Sequence, residues 1–269
     1  MLLNTRESLR DLLLACILWL LLNGFRNVVV MKCRFIFILI IVVHAMLCSV
    51  AMAQHVPSRE IDKIDRFSKV SLASGINMVI RKSDRQKITI NAERTILPHV
   101  VCQVVDGELS IFASRFSYKK SKRIDIVLEV DSALTSITCS SGNHVRCETA
   151  LPCEKLALYG RYGCDFFCNV NAEYLKVNVT SGCDVRIVGN ARSCDFFAEN
   201  ASTIRAFGLR SNSVSVAAAT SSSVDVSVVD AITVSARGHC EVRYKGDPGV
   251  RNVIAVSDSR VHAVDDDTL

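Results

Sequence analysis

The sequence predicts an all-β fold, a β-solenoid with rungs of about 19 residues and an N-terminal β cap. Three observations predict it: a short unit that recurs at near-constant spacing, alternation of apolar and polar residues inside that unit, and an unusual composition. Of 269 residues, 49% are hydrophobic but only 6% are aromatic, with four Pro and twelve Cys. An interior built from such a chain is filled by Val, Ile, Leu, Ala and Cys, which suits thin stacked coils better than one ordinary globular core.

The recurring unit is a Gly/Ser/Asn-rich step followed by an apolar residue. It ends at Val145 (SSGNHV), Phe166 (RYGCDF), Val185 (TSGCDV), Ile204 (ENASTI), Val224 (ATSSSV), Val242 (ARGHCEV) and Val261 (VSDSRV), a nearly constant step along the chain. No helical pattern lies between these positions, so each unit is a coil of strands. Eight residues before each reference stand Ile137, Leu158, Val177, Phe196, Val216, Val234 and Val253; six before stand Cys139, Gly160, Val179, Ala198, Ala218, Ala236 and Ala255. Two after stand Cys147, Cys168, Ile187, Ala206, Val226, Tyr244 and Ala263. Side chains of equal parity share one face of a strand, so these are inward ladders that stack at about 4.8 Å per rung.

The opposite parity forms outward columns. One residue before the reference are His144, Asp165, Asp184, Thr203, Ser223, Glu241 and Arg260; one after are Arg146, Phe167, Arg186, Arg205, Asp225, Arg243 and His262. An acid-leaning column therefore flanks a basic-leaning one. The plain expectation is a solvated sheet with cross-strand ion pairs. The sharper one is a surface binding site at Asp165, Asp184, Arg186 and Arg205, where two carboxylates one rung apart could share a proton or hold calcium.

Upstream, Phe67 to Val130 alternates as strands (Val70–Leu72, Met78–Ile80, Ile88–Ile90, Val101–Val105, Leu109–Ile111, Ile124–Val130) without the clean period. Asp106-Gly107 marks a hairpin turn. This stretch is expected to cap the N-terminal end of the stack and to block an open sheet edge. Within it, Arg115, Lys119, Lys120, Lys122 and Arg123 interleave with Phe116 and Tyr118. That loop is either solvated or a contact for anionic envelope glycans or lipid head groups.

Residues 1–53 hold two apolar runs, Leu12–Leu22 and Phe35–Val43. The second reads as a signal peptide starting at Met31, with Lys32 and Arg34 as its basic region and Ala51-Met52-Ala53 as a cleavage site before Gln54. Each run is shorter than the roughly 20 residues that span a bilayer, which disfavours a retained anchor. Residues 1–30 then form an upstream extension, 54–66 a linker, 67–264 the solenoid and 265–269 an acidic tail. Export removes five of 32 basic and two of 27 acidic residues, leaving a net charge of +2 in place of +5. Neither nucleic acid nor a strongly acidic partner is implied by that balance, and contact with a membrane is expected only during export.

Nine cysteines follow Ala53. Seven of them (Cys139, Cys147, Cys164, Cys168, Cys183, Cys194 and Cys240) fall on inward columns among Val and Ala, where cysteine acts as a small buried hydrophobe. Two pairs, Cys164 with Cys183 and Cys147 with Cys168, share a column one rung apart and are the stacked pairs in which a disulfide would form. His144, His239 and His262 lie on the outward parity, so no metal site is expected, and no motif for a cofactor or a catalytic nucleophile is present.

The segments FSKVSLASGINMVI (Phe67–Ile80), KITINAE (Lys87–Glu93) and VVDGELSIF (Val104–Phe112), with the repeated SG-x-x-V steps, resemble the auto-transporter adhesin head GIN domain family. Gly75-Ile76-Asn77 stands where that family's GIN lies, and the resemblance covers roughly Ile64 to Val264. It implies a secreted or envelope protein with a right-handed β-solenoid and no catalytic residues to carry over. The expected function is an exported, non-enzymatic adhesin or envelope scaffold that binds an envelope glycan or another envelope protein, placed in the periplasm, on the outer surface or outside the cell. The alternatives are a carbohydrate-active β-helix lyase or hydrolase using the Asp165/Asp184 face, and a periplasmic assembly or sensing module. Units this short leave little room for the long loops that wall a substrate cleft, which weighs against the enzyme.

Overall fold

The computed structural model describes residues 57–114 and 123–265. The upstream part contains β1 (Ser58–Ile61), β2 (Lys69–Ala73), β3 (Ile76–Lys82), β4 (Lys87–Ala92), β5 (Val100–Val105), β6 (Glu108–Ala113) and β7 (Ile124–Val130). The periodic part contains β8 (Ser136–Ser140), β9 (His144–Cys147), β10 (Leu151–Arg161), β11 (Asp165–Thr180), β12 (Asp184–Glu199) and β13 (Thr203–Ala219). It ends with β14 (Ser223–Arg237), β15 (Glu241–Lys245), β16 (Val250–Val256) and β17 (Arg260–Ala263). From β8 onward every pairing is parallel, and the reference residues stack in one register: Val145 on Phe166, Val185, Ile204, Val224, Val242 and Val261. The protein is a β-solenoid with a single apolar core running along its axis.

The stretch before residue 131 is organised differently from the expectation. A cap is present, but only β1, β4 and β5 make it, through antiparallel pairings β1–β4, β4–β7 and β5–β6. The Asp106-Gly107 turn joins β5 to β6 with both residues at positive φ, 50° and 73°. Strands β2 and β3 are not part of the cap. They form a complete solenoid level, inserted between β6–β7 on one side and β8–β9 on the other. Met78 lies on the reference column between Ile126 and Val145, and Val70 and Leu72 continue the ladders of Ile137 and Cys139. The repeat period misses this level because Asn77 and Met78 lie beside His144 and Val145, far along the chain from them. The expected linker over 54–66 also contains β1, which gains a full antiparallel partner in β4.

From β2 onward each level turns through two consecutive residues of positive φ, for example Ser141-Gly142 (68°, 68°), Ser181-Gly182 (63°, 75°) and Asn200-Ala201 (55°, 58°). Glycine takes that region without cost, which explains its recurrence in the step. The turns are tied to one another: Gly142 N–H donates to Tyr162 O, Gly163 N–H to Ser181 O, Gly182 N–H to Asn200 O and Ala201 N–H to Thr220 O, at 2.9–3.0 Å.

The residue after each turn has a second role. In this column stand Ile76, Asn143, Cys164, Cys183, Ser202, Ser222, Cys240 and Ser259. Six of their side chains donate to the carbonyl three residues back: Asn143 to Ser140 (2.6 Å), Cys164 to Arg161 (3.1 Å), Cys183 to Thr180 (3.2 Å), Ser202 to Glu199 (2.8 Å), Ser222 to Ala219 (2.8 Å) and Cys240 to Arg237 (3.2 Å). The same column accepts the backbone N–H of the neighbouring level. Ile76 N–H reaches Asn143 Oδ1 (2.7 Å), Cys164 N–H reaches Cys183 Sγ (3.4 Å), Cys183 N–H reaches Ser202 Oγ (3.3 Å) and Cys240 N–H reaches Ser259 Oγ (3.1 Å). Three of the inward cysteines are therefore hydrogen-bonding turn residues interchangeable with Ser and Asn, not apolar filler. Cys164 and Cys183 meet in this way, and Cys147 and Cys168 lie with their sulfurs 3.0 Å apart. All nine described cysteines are free thiols.

Candidate ligand-binding surface

The outward columns converge on a shallow groove of about 650 Å³ across the levels of β7, β3, β9, β11, β12 and β13. Read across the strands, its first column runs Asp125, Asn77, His144, Asp165, Asp184 and its second runs Val127, Val79, Arg146, Phe167, Arg186, Arg205. Strand alternation makes this arrangement: the ladder residues between these positions are buried, so their neighbours must point to solvent.

The carboxylates of the groove are each engaged. Asp125 accepts from Arg123 Nε (2.6 Å) and Asn77 Nδ2 (2.9 Å). The bond from Arg123 raises the affinity of its guanidinium for the proton. His144 Nδ1 stands 2.7 Å from Asp165 Oδ2, and Arg205 bonds both oxygens of Asp184. Arg146 lies over the Phe167 ring, 5.3 Å from its centroid, and Phe167 is 36% exposed. Arg186 is exposed and has no acidic partner among the described residues. Farther along the same face, Arg243 holds the buried carboxylate of Asp225 through two bonds of 2.8 Å.

All four residues singled out on the repeat, Asp165, Asp184, Arg186 and Arg205, line this groove, and Arg123 stands at its rim. Arg115, Lys119, Lys120 and Lys122 lie outside the described residues, as do Ala51, Ala53 and Gln54. The two carboxylates are in register on adjacent strands, yet each faces its own partner, His144 or Arg205. Among the described residues no group of three or more His, Cys, Asp or Glu side chains is placed to hold a metal ion. Sequence reasoning missed Asn77 and Asp125 as groove residues. The available signal was the match between Ser74-Gly75-Ile76-Asn77-Met78 and Ser141-Gly142-Asn143-His144-Val145, which places Asn77 beside His144.

Residues 66–248 match the family model described as "Putative auto-transporter adhesin, head GIN domain". The chain belongs to this family. Its GIN triplet now has a structural meaning: Gly75 takes the positive φ of the turn (64°), Ile76 is buried on the turn column, and Asn77 points into the groove. Three solved structures share the fold. A putative adhesin from Bacteroides fragilis is similar over 79% of this chain and 98% of its own, with a TM-score of 0.70 and 16% identity. A putative adhesin from Parabacteroides distasonis is similar over 77% and 96%, with a TM-score of 0.62 and 18% identity. A putative lipid binding protein from the same species is similar over 78% and 96%, with a TM-score of 0.58 and 14% identity. No curated protein matches the chain. No helix among the described residues is long and apolar enough to cross a membrane.

Proposed function

We propose that this head GIN protein is an exported, non-enzymatic adhesive module of the bacterial envelope whose groove binds an acidic glycan. The observation that supports this reading is the charge state of the groove floor. Its three carboxylates are already partnered, while Arg186 is not, and Phe167 offers an exposed ring one level away. A sugar ring packs its C–H face on the aromatic, and a guanidinium takes a carboxylate or sulfate through two parallel bonds. Export rests on the Met31–Ala53 segment, and the mature chain is expected to begin at Gln54.

Binding of the purified protein to polyuronates and sulfated glycans, measured by calorimetry, tests the proposal. Affinity should fall with salt and vanish for the methyl-esterified polymer. A charge-assisted contact contributes about 1.5–3 kcal/mol, so Arg186→Ser should weaken binding by roughly 10- to 100-fold. Equal affinity for charged and neutral polymers would defeat the proposal. So would new reducing ends or unsaturated products, which would move the protein to the carbohydrate-active enzymes. Because one solved relative carries a lipid-binding name, vesicles of anionic lipid form a second arm; Arg186-dependent binding to vesicles with none to glycans overturns the glycan assignment.

A further inference from the structure

The two ends of the solenoid are finished differently. At the N-terminal end, β1, β4 and β5 run antiparallel across the last level and cover its edge. At the other end, among the described residues, β16 pairs with β14 alone and β17 with β15 alone. One side of this level therefore presents free backbone N–H and C=O groups, the template on which another strand pairs.

The side chains of this end level match that need. The column of Ile137, Leu158, Val177, Phe196, Val216 and Val234 is buried at 0–2% exposure, yet Val253, which continues it, is 45% exposed. Two outward positions near the end of β16 are apolar as well. Val256 stands where other levels carry Ser140, Arg161, Thr180, Glu199 and Arg237, with Ala73 and Ala219 the smaller apolar precedents, and it is half exposed; Ile254, which replaces Ser235, is 64% exposed. From Val253 to Val256 the strand is apolar on both faces, with Arg251 and Asn252 the polar residues before it, and an exposed apolar edge of this kind is what natural sheets avoid unless something covers it.

We infer that the covering partner is a second copy of this chain, docked end to end through β16 and β17 about a two-fold axis. Inside the chain every level is covered by another apolar level, and the end level of a second copy presents the same exposed Val and Ile side chains. The charges agree. Between residues 250 and 265 the end level carries two basic residues, Arg251 and Arg260, and two acidic ones, Asp258 and Asp265, so two copies meet without net repulsion. A two-fold makes each strand run antiparallel to its own copy. Head-to-tail stacking is disfavoured because the N-terminal end is already crossed by antiparallel strands, and such a contact would not close.

Sedimentation equilibrium of the purified protein tests this, with Ile254→Lys placed in the contact and Val105→Lys, at the exposed N-terminal end, as the control. Both side chains are largely exposed, 64% and 57%, so neither change threatens folding. The expected result is a dimer whose dissociation constant rises roughly ten-fold or more in Ile254→Lys and stays unchanged in Val105→Lys. A monomer at high micromolar concentration overturns the inference, as do open filaments or a dimer that only Val105→Lys dissociates. Glycan binding by the groove is read separately, so a monomeric protein that still binds glycan rejects this contact and leaves the function standing.

Discussion

Replacing Cys183 separates two accounts of the inward cysteines. If Cys183 were apolar filler, Ala would leave only a small void, and Ser would bury a hydroxyl at a cost. The structure predicts the reverse order. Cys183 Sγ is the partner of the buried Cys164 N–H, and it donates to Thr180 O. Ala removes both bonds and strands a backbone N–H away from water, which costs about 1–3 kcal/mol. Ser restores both, as Ser202 does one level on, where its hydroxyl takes the Cys183 N–H at 3.3 Å and donates to Glu199 O at 2.8 Å. Cys183→Ser should therefore be within about 0.5 kcal/mol of the parent, the range of neutral substitutions. Cys183→Ala should lose about 2 kcal/mol, a fall in Tm of roughly 4–8 °C for a chain of this length. Stacked levels can open locally, so the decisive assay is hydrogen exchange at the Cys164 amide. Its protection should persist in Ser and collapse in Ala. Equal protection in the two variants, or an Ala variant more stable than Ser, would refute the reasoning.

Three further outcomes follow from the same geometry. Gly182 and Ala201 hold the same turn position at φ 75° and 58°, so Gly182→Ala should destabilise and Ala201→Gly stabilise, each by about 1–2 kcal/mol, read by chemical denaturation. The bond to Cys168 and burial push the Cys147 thiol well up, and burial lifts Cys194 to about 11. Seven of the nine described thiols are buried and only Cys102 and Cys153 are half-buried, so an alkylating reagent at neutral pH should modify only those two in the native protein and all nine after unfolding; a count two lower, with Cys147 and Cys168 missing, would show them bonded. Arg81 bonds Glu148 at 2.6 Å and holds its carboxyl below the usual range. A lowered acid contributes above its unfolded pKa and loses that contribution as pH falls through the lowered value, so Glu148 should titrate below the usual carboxylate range by NMR, and Arg81→Gln should raise it.

Periodicity made the stack from Val145 onward legible, down to the residue pairs that share a column. It could do so because levels that follow one another in the chain also stack on one another, and so leave their mark at fixed spacing. The level of β2 and β3 leaves no such mark, although its own pattern, Val70, Leu72, Met78 and Ile80, is the same. A chain that returns to fill a gap is periodic in space and aperiodic in sequence. The cysteines show a second limit. Alternation assigns Cys164, Cys183 and Cys240 correctly to the interior, but parity cannot tell a side chain that fills space from one that caps a backbone group. The appearance of Ser202 and Ser222 in that column, at positions buried to 0% and 2%, was the sign that the column is polar. The groove was half visible: Asp165, Asp184, Arg186 and Arg205 lie on the repeat, whereas Asn77 and Asp125 arrive from levels that the period does not reach.

The inserted level also decides where the groove lies. Asn77 and Val79 separate Asp125 and Val127 on β7 from His144 and Arg146 on β9. Without β3, those two levels would meet directly or not at all, and the row from Arg123 to Arg205 would break. The insertion is fastened from both sides by polar contacts distant in sequence: Ile76 N–H to Asn143 and Arg81 to Glu148 on one, Asn77 to Asp125 on the other. These contacts close long loops, an entropic cost that a strictly sequential solenoid never meets. The return is a rigid junction. A level clamped between two others cannot fray as a terminal level can, so the side chains it contributes to the groove are held inside the stack and not at its end. The family's GIN triplet lies at this junction, with Gly75 making the turn, Ile76 bonded to Asn143 and Asn77 facing the groove. Its position ties the motif to both the insertion and the groove.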